Sequence, residues 1–236
     1  MDIKIFKTAE EASKAAAEIF KDTLKTGQEV FGLATGSTPE KTYEILVESD
    51  LDFSNAIAIN LDEYYGIAST HDQSYAYFMN QHLFQHKPFK ETHIPNGENT
   101  DAEDEVTRYD AILEKYPRDL QILGIGSNGH IAFNEPGSSF DATTTKVKLT
   151  DSTIQDNSRF FDNKDEVPQE AYSMGIKSIM DAKHIILMAF GESKADAIKK
   201  IIEGPVTEDV PASVLQKHPN VTLLLDEAVA SKLSSN

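Results

Sequence analysis

Along most of this chain a short apolar run is followed by a helical segment, and that alternation restricts the fold more than any single residue does. Runs at residues 3–6, 30–34, 56–61, 119–124, 171–176, 183–190 and 221–225 read as strands, and residues 146–149 as an edge strand. Helical patterns cover residues 8–24, 40–49, 75–85, 102–115, 153–161, 192–202 and 227–233. Thr8 and Glu11 have capping-box spacing at the start of the first helix, and Gly27 is placed to stop it. Strands that alternate with helices predict a mostly parallel sheet with helices on both faces. The expected architecture is therefore α/β, a modified Rossmann-like sheet in a single domain over residues 1–236. Repeats, low-complexity tracts and long linkers are absent, and only the final Ser-Ser-Asn reads as frayed.

One stretch breaks the alternation. Residues 124–139 read GIGSNGHIAFNEPGSS, which fits neither a helix nor a strand. The stretch follows an apolar strand, and open α/β sheets place their ligands at such strand ends. Gly124, Gly126 and Gly129 match G-x-G-x-x-G. That fingerprint must open a helix, whereas residues 131–136 are apolar, aromatic and closed by proline, so a nicotinamide cofactor is rejected. His130 and Glu135 lie five residues apart, and a carboxylate can orient an imidazole and raise its basicity. His-x4-Glu is not a helical ligand spacing and no third ligand is evident, so no metal is expected.

Three other places carry chemistry. Thr35, Gly36, Ser37 and Thr38 form a strand-to-helix turn that either caps its helix or receives a phosphate on the free N–H groups. Asp62 and Glu63 stand together at a strand end. An extended backbone points their side chains to opposite faces, so one can meet a cleft and the other solvent or a salt bridge. Arg159 lies beside two phenylalanines, where a surface ion pair explains it equally well. Lys194 lies in the first turn of a helix, where the dipole disfavours a cation unless an anion sits between them. Free exposure to solvent is the alternative.

Charge narrows the partners. With 22 basic and 39 acidic residues the net charge is −17, which opposes binding to nucleic acid or to anionic membranes. Any phosphate site must be built from local cations. No cysteine is present, which excludes disulfides and a thiolate nucleophile. The N-terminus lacks a long apolar segment, so the chain is expected to be cytoplasmic.

Taken in order, LATGSTP, NLDEYYG, GIGSNGHIAFNEPGSS, NSRFF and GESKA resemble the glucosamine-6-phosphate deaminase family along almost the whole chain. The resemblance implies an enzyme that opens an amino-sugar phosphate ring, isomerises aldose to ketose and releases ammonia, giving fructose 6-phosphate without cofactor or metal. It implies His130 as acid and base for ring opening, with Glu135 tuning it and Asn128 completing the group. Many relatives have aspartate where this chain has Asn128, so polarisation of His130 is expected to rest mainly on Glu135. It implies Asp62 as the base that moves a proton between C2 and C1. Thr35, Gly36, Ser37, Thr38, Arg159 and Lys194 are implied as the phosphate site. The basic residues of allosterically regulated relatives are missing after the NEP-S-S stretch, and the tail is short. Weak or absent activation by N-acetylglucosamine 6-phosphate follows, and a monomer rather than a hexamer. Residues 86–99 and 152–166 are candidates for a segment that covers the site. Two other functions share parts of this pattern: a 6-phosphogluconolactonase, and a non-catalytic sugar-phosphate sensor.

Overall fold

A computed structural model describes residues 1–234. The first part of the chain forms β1 (Asp2–Phe6), α1 (Ala9–Lys25), β2 (Val30–Leu33), α2 (Ser37–Glu48), β3 (Ile57–Asn60) and β4 (Asp62–Tyr64). Next come α3 (Tyr75–Met79), β5 (Glu91–His93), α4 (Ala102–Lys115) and β6 (Leu120–Leu123). The last part holds β7 (Thr145–Lys148), α5 (Asp151–Asn157), β8 (Glu170–Ser173), α6 (Ile176–Met180), β9 (His184–Ala189), α7 (Ala195–Glu203) and β10 (Val221–Asp226). Thr8 caps α1 by accepting from the Glu11 N–H at 3.2 Å, and Glu11 reaches back to the Lys7 N–H at 3.1 Å.

The main sheet has seven strands in the order β1-β10-β9-β6-β2-β3-β5, and every pair is parallel. Its central strands are apolar because both faces are covered; all four residues of β6 are buried. From β2 the chain proceeds to β3 and β5, whereas from β6 it proceeds the other way, to β9 and β10. Right-handed crossovers running in opposite directions put the helices of the two halves on opposite faces. Strands β2 and β6 are neighbours, so the loops leaving their carboxyl ends diverge and open a crevice.

A second, antiparallel sheet in the order β4-β8-β7 flanks that crevice. The chain enters it at Leu61, whose N–H bonds to Leu33 in the main sheet and whose carbonyl accepts from Met174, one residue past β8 of the small one. Residues 146–149 and 171–176, expected in one continuous sheet, therefore belong to this separate layer. The second of these strands ends at Ser173, and Gly175 beyond it lies against the backbone of Ala142 and Thr143, where a Cβ would clash. A small apolar cluster of Tyr64, Ile67, Phe133, Leu149 and Ala171 fills the space beneath.

Three further expectations need correction. Residues 86–99 are not a free loop, since β5 pairs with β3 in the main sheet. Residues 227–233 form a short 3-10 turn (Val229–Lys232) rather than a helix. Ser234 is held by Glu203, its N–H lying 2.6 Å from Oε1, so it is not frayed; residues 235–236 of that expectation lie outside the described residues. No helix among the described residues is long and apolar enough to cross a membrane.

Candidate active site

A cavity of about 520 Å³ occupies the crevice. Loops from the carboxyl ends of β2, β3, β6 and β9 meet there, joined by the segment that follows α5. Thr35, Gly36, Ser37, Thr38, Asp62, His130, Arg159 and Lys194 all line it. Asn128 and Glu135 stand behind His130.

Gly36 turns the chain from β2 into α2 with φ of 92°, a left-handed conformation that favours glycine. No side chain caps the helix that begins here, so capping by Ser37 or Thr38 does not occur. The first N–H groups of α2 lack a side-chain partner, and this twelve-residue helix directs its positive end at the cavity. Lys194 reaches across from the start of α7, and its Nζ donates to the Ile125 carbonyl. Burial lowers its pKa, with the Arg159 guanidinium adding to the effect and Asp156 opposing it. The Arg159 guanidinium stacks over the Phe160 ring at 4.6 Å. Two cations crowded at an uncapped helix end form a site shaped for an anion.

His130 lies against Gly126, where a Cβ would overlap the imidazole. Its Nδ1 is 2.7 Å from Asn128 Oδ1 and 3.5 Å from Glu135 Oε2. Asn128 is therefore interposed, and Glu135 does not hold the ring directly as expected. The amide orientation follows from its partners. Asn128 Nδ2 donates to Glu135 Oε2 at 2.9 Å, which turns Oδ1 toward the histidine. A carbonyl oxygen only accepts, so Nδ1 carries the proton and Nε2 keeps a lone pair. Burial lowers the pKa of His130; Lys194 also lowers it, and Glu135 and Asp156 oppose the shift. The ring is a neutral base at neutral pH.

Asp62 and Glu63 separate as the strand alternation requires. Asp62 faces the cavity, while Glu63 meets neither solvent nor a salt bridge. Glu63 is buried and accepts from the N–H groups of Tyr64, Tyr75 and Ala76, which ties β4 to the start of α3. Burial raises Glu63 to about 7 against those donors. Asp62 has no such donors. Burial, reinforced by the neighbouring Glu63 charge, pushes it up to about 8.

Strand β8 fixes the distance between the two halves of the site. Ser173 pairs with Asp62 across the small sheet, and its hydroxyl accepts from the Phe133 N–H at 3.1 Å. The Asn134 amide donates to the Ile131 and Met174 carbonyls at 3.0 and 2.9 Å. Between them Ala132 has φ of 50°, the one non-glycine residue with positive φ among those described, and it also lines the cavity. Sequence reasoning did not find these supports. Tyr64, Asn157 and Phe160 of the lining stand within NLDEYYG and NSRFF but were given no role, and Tyr75 and Asp156, ordinary residue types outside those motifs, were missed as well. No group of three or more potential metal-ligating side chains occurs among the described residues. The glycine pattern 124-126-129 is followed by a turn rather than a helix, unlike the dinucleotide fingerprint.

The family model described as glucosamine-6-phosphate isomerases/6-phosphogluconolactonase matches residues 6–224. A glucosamine-6-phosphate deaminase from Lacticaseibacillus paracasei is 59% identical over 99% of both chains. One from Streptococcus agalactiae is 56% identical over 94% of this chain and 96% of that one. Among solved structures, a monomeric glucosamine-6-phosphate deaminase superposes with a TM-score of 0.95 at 44% identity, covering 98% of this chain and 99% of the other. The 6-phosphogluconolactonase of Trypanosoma brucei shares the fold, with a TM-score of 0.82 at 20% identity over 99% and 98% of the two chains.

Proposed function

Because the chain belongs to the glucosamine-6-phosphate isomerase/6-phosphogluconolactonase family, we infer that it is a glucosamine-6-phosphate deaminase whose acid–base groups are His130 and Asp62. The observation that carries the division of labour is one cavity holding a neutral imidazole and a buried carboxylate without hydrogen-bond donors.

The uncapped start of α2, with Thr35, Gly36, Ser37 and Thr38, takes the phosphate together with Arg159 and Lys194. His130 Nε2 accepts the proton of the anomeric hydroxyl and returns it to the ring oxygen. The bond from C1 to the ring oxygen breaks and an aldehyde forms. Asp62 then removes the C2 proton and delivers it to C1. The electron pair moves through an enolamine, leaving an iminium at C2. Water adds there, ammonia departs, and fructose 6-phosphate remains. Glu135 and Asn128 keep His130 in the tautomer this sequence needs. The raised pKa of Asp62 makes its carboxylate a stronger base than an exposed aspartate, which suits a carbon acid. The substrate ammonium, brought beside it, favours the ionised form.

A lactonase reaction gives Asp62 no comparable task, since no carbon-bound proton moves. Equal amounts of ammonia and fructose 6-phosphate from glucosamine 6-phosphate are the expected products. Lactone hydrolysis without ammonia release would reject this reading. Lys194→Ala is expected to raise KM for glucosamine 6-phosphate ~10–100-fold, the loss of one charge-assisted contact, with a smaller fall in kcat. The comparison is with unphosphorylated glucosamine, whose binding the substitution leaves unchanged. The reading includes a monomer, as described for the 44% identical deaminase, and light scattering at 26.1 kDa tests it. It includes the cytoplasm too, where charged sugar phosphates are retained.

A further inference from the structure

The relay behind His130 continues past Glu135. Glu135 Oε2 accepts from Asn128, and Oε1 accepts from the Thr153 hydroxyl at 2.6 Å. Thr153 is buried, with 5% of its surface exposed, in the first turn of α5. A carboxylate only accepts, so the Thr153 proton is committed to Glu135. The Thr150 hydroxyl, which caps the same helix, donates to Thr153 Oγ1 at 3.0 Å. Beyond α5 the chain runs directly through a 3-10 turn (Ser158–Phe160) to the Arg159 guanidinium. One short segment therefore touches both the relay and the phosphate end of the cavity.

Resting on the deaminase reading, we propose that Thr153 is a positioning residue, delivered by the segment that carries Arg159, which fixes the Glu135 carboxylate and, through Asn128, the tautomer of His130. The chemistry behind this is a chain of forced donors. With both oxygens of Glu135 engaged, the carboxylate cannot rotate. With Oε2 held toward Asn128, the amide cannot flip, because a flip would set Oδ1 against a carboxylate oxygen. Without Thr153 the carboxylate is free to turn, and Asn128 can present Nδ2 to Nδ1 of the imidazole. The ring then carries its proton on Nε2 and loses the lone pair that faces the substrate. The other charged groups that act on His130 are Lys194 and Asp156, and neither hydrogen-bonds Thr153.

Thr153→Val keeps the shape and removes the hydroxyl, and Thr153→Ser keeps the hydroxyl. The valine variant is expected to lose about an order of magnitude in kcat, with KM within roughly two-fold of wild type. The ring 15N shifts of His130 move from the Nδ1–H toward the Nε2–H tautomer, because Asn128 then offers Nδ2 to Nδ1. Thr153→Ser recovers most of the rate. In a Glu135→Gln background the valine substitution adds little, since both changes cut the same chain. Wild-type kcat and an unchanged Nδ1–H tautomer in the valine variant would overturn the proposal while leaving the deaminase reading standing. So would a serine variant as slow as the valine one with an unmoved tautomer, the mark of packing alone. Absence of ammonia release by the wild-type protein would instead remove the deaminase reading itself.

Discussion

Asp62→Asn is expected to lower turnover of glucosamine 6-phosphate ~10²–10⁴-fold and to leave its affinity within a few-fold of wild type. The amide fits where the carboxylate stood but cannot accept a proton from C2. Phosphate anchoring and ring opening use other groups, so the variant still binds substrate and still interconverts its anomers. Rapid anomer exchange without ammonia release, followed by NMR, is the signature. A second effect runs in the opposite direction. Folded Asp62 titrates near 8, far above an unfolded aspartate, so this group costs stability as pH rises between those values. The cost is complete above about pH 8 and absent at acid pH. Asp62→Asn carries no such term. Its Tm should exceed that of wild type at pH 8.5, and the gain should shrink toward pH 4. A variant less stable than wild type at pH 8.5 would contradict the burial of an unpaired carboxylate. In kinetics, the acidic limb of kcat should lie below that of kcat/KM, because the bound ammonium stabilises the ionised base.

His130→Gln is expected to cost ~10²–10⁴ in rate, and the lost step differs. Glutamine keeps a polar side chain beside Gly126 but has no lone pair that cycles between base and acid at neutral pH. Ring opening fails first, so enzyme-catalysed anomer exchange disappears together with ammonia release. The two variants thus separate on one spectrum: Asp62→Asn retains exchange and His130→Gln loses it. Exchange at the wild-type rate in the histidine variant would move ring opening to another group. The lowered pKa of His130 also sets a sign. The imidazole is neutral above its depressed value, so this residue alone does not reduce activity between pH 7 and 8.

The parallel sheet was legible because β2, β3, β6, β9 and β10 are buried apolar runs separated by helical patterns. The crevice was legible too, since the glycine-rich and hydroxyl-rich loops follow β6 and β2, whose connections diverge. The second sheet was not. β4 is three residues long and polar at its start, and its pairing with β8 is a long-range event that no local period encodes. β5 is equally short and was taken for loop. At the site, Asp62 and His130 stood out by residue type. Their supports did not: Ser173, Asn134 and Thr153 each act through a hydrogen bond to a partner 18 to 40 residues away. Glu63 was expected on the face opposite Asp62, but only the fold reveals that it caps α3 there instead of meeting solvent or a salt bridge.

The central claim is that an anchored phosphate presents an opened amino sugar between the imidazole of His130 and the carboxylate of Asp62. A crystal structure with the unreactive open-chain analogue 2-amino-2-deoxyglucitol 6-phosphate tests it most directly. The expected complex has phosphate oxygens on the α2 amides, Arg159 and Lys194, the Asp62 carboxylate ~3–3.5 Å from C1 and C2, and His130 Nε2 within hydrogen-bond reach of the C1 or C5 hydroxyl. A phosphate bound away from α2, or C1 and C2 out of reach of Asp62, would contradict it.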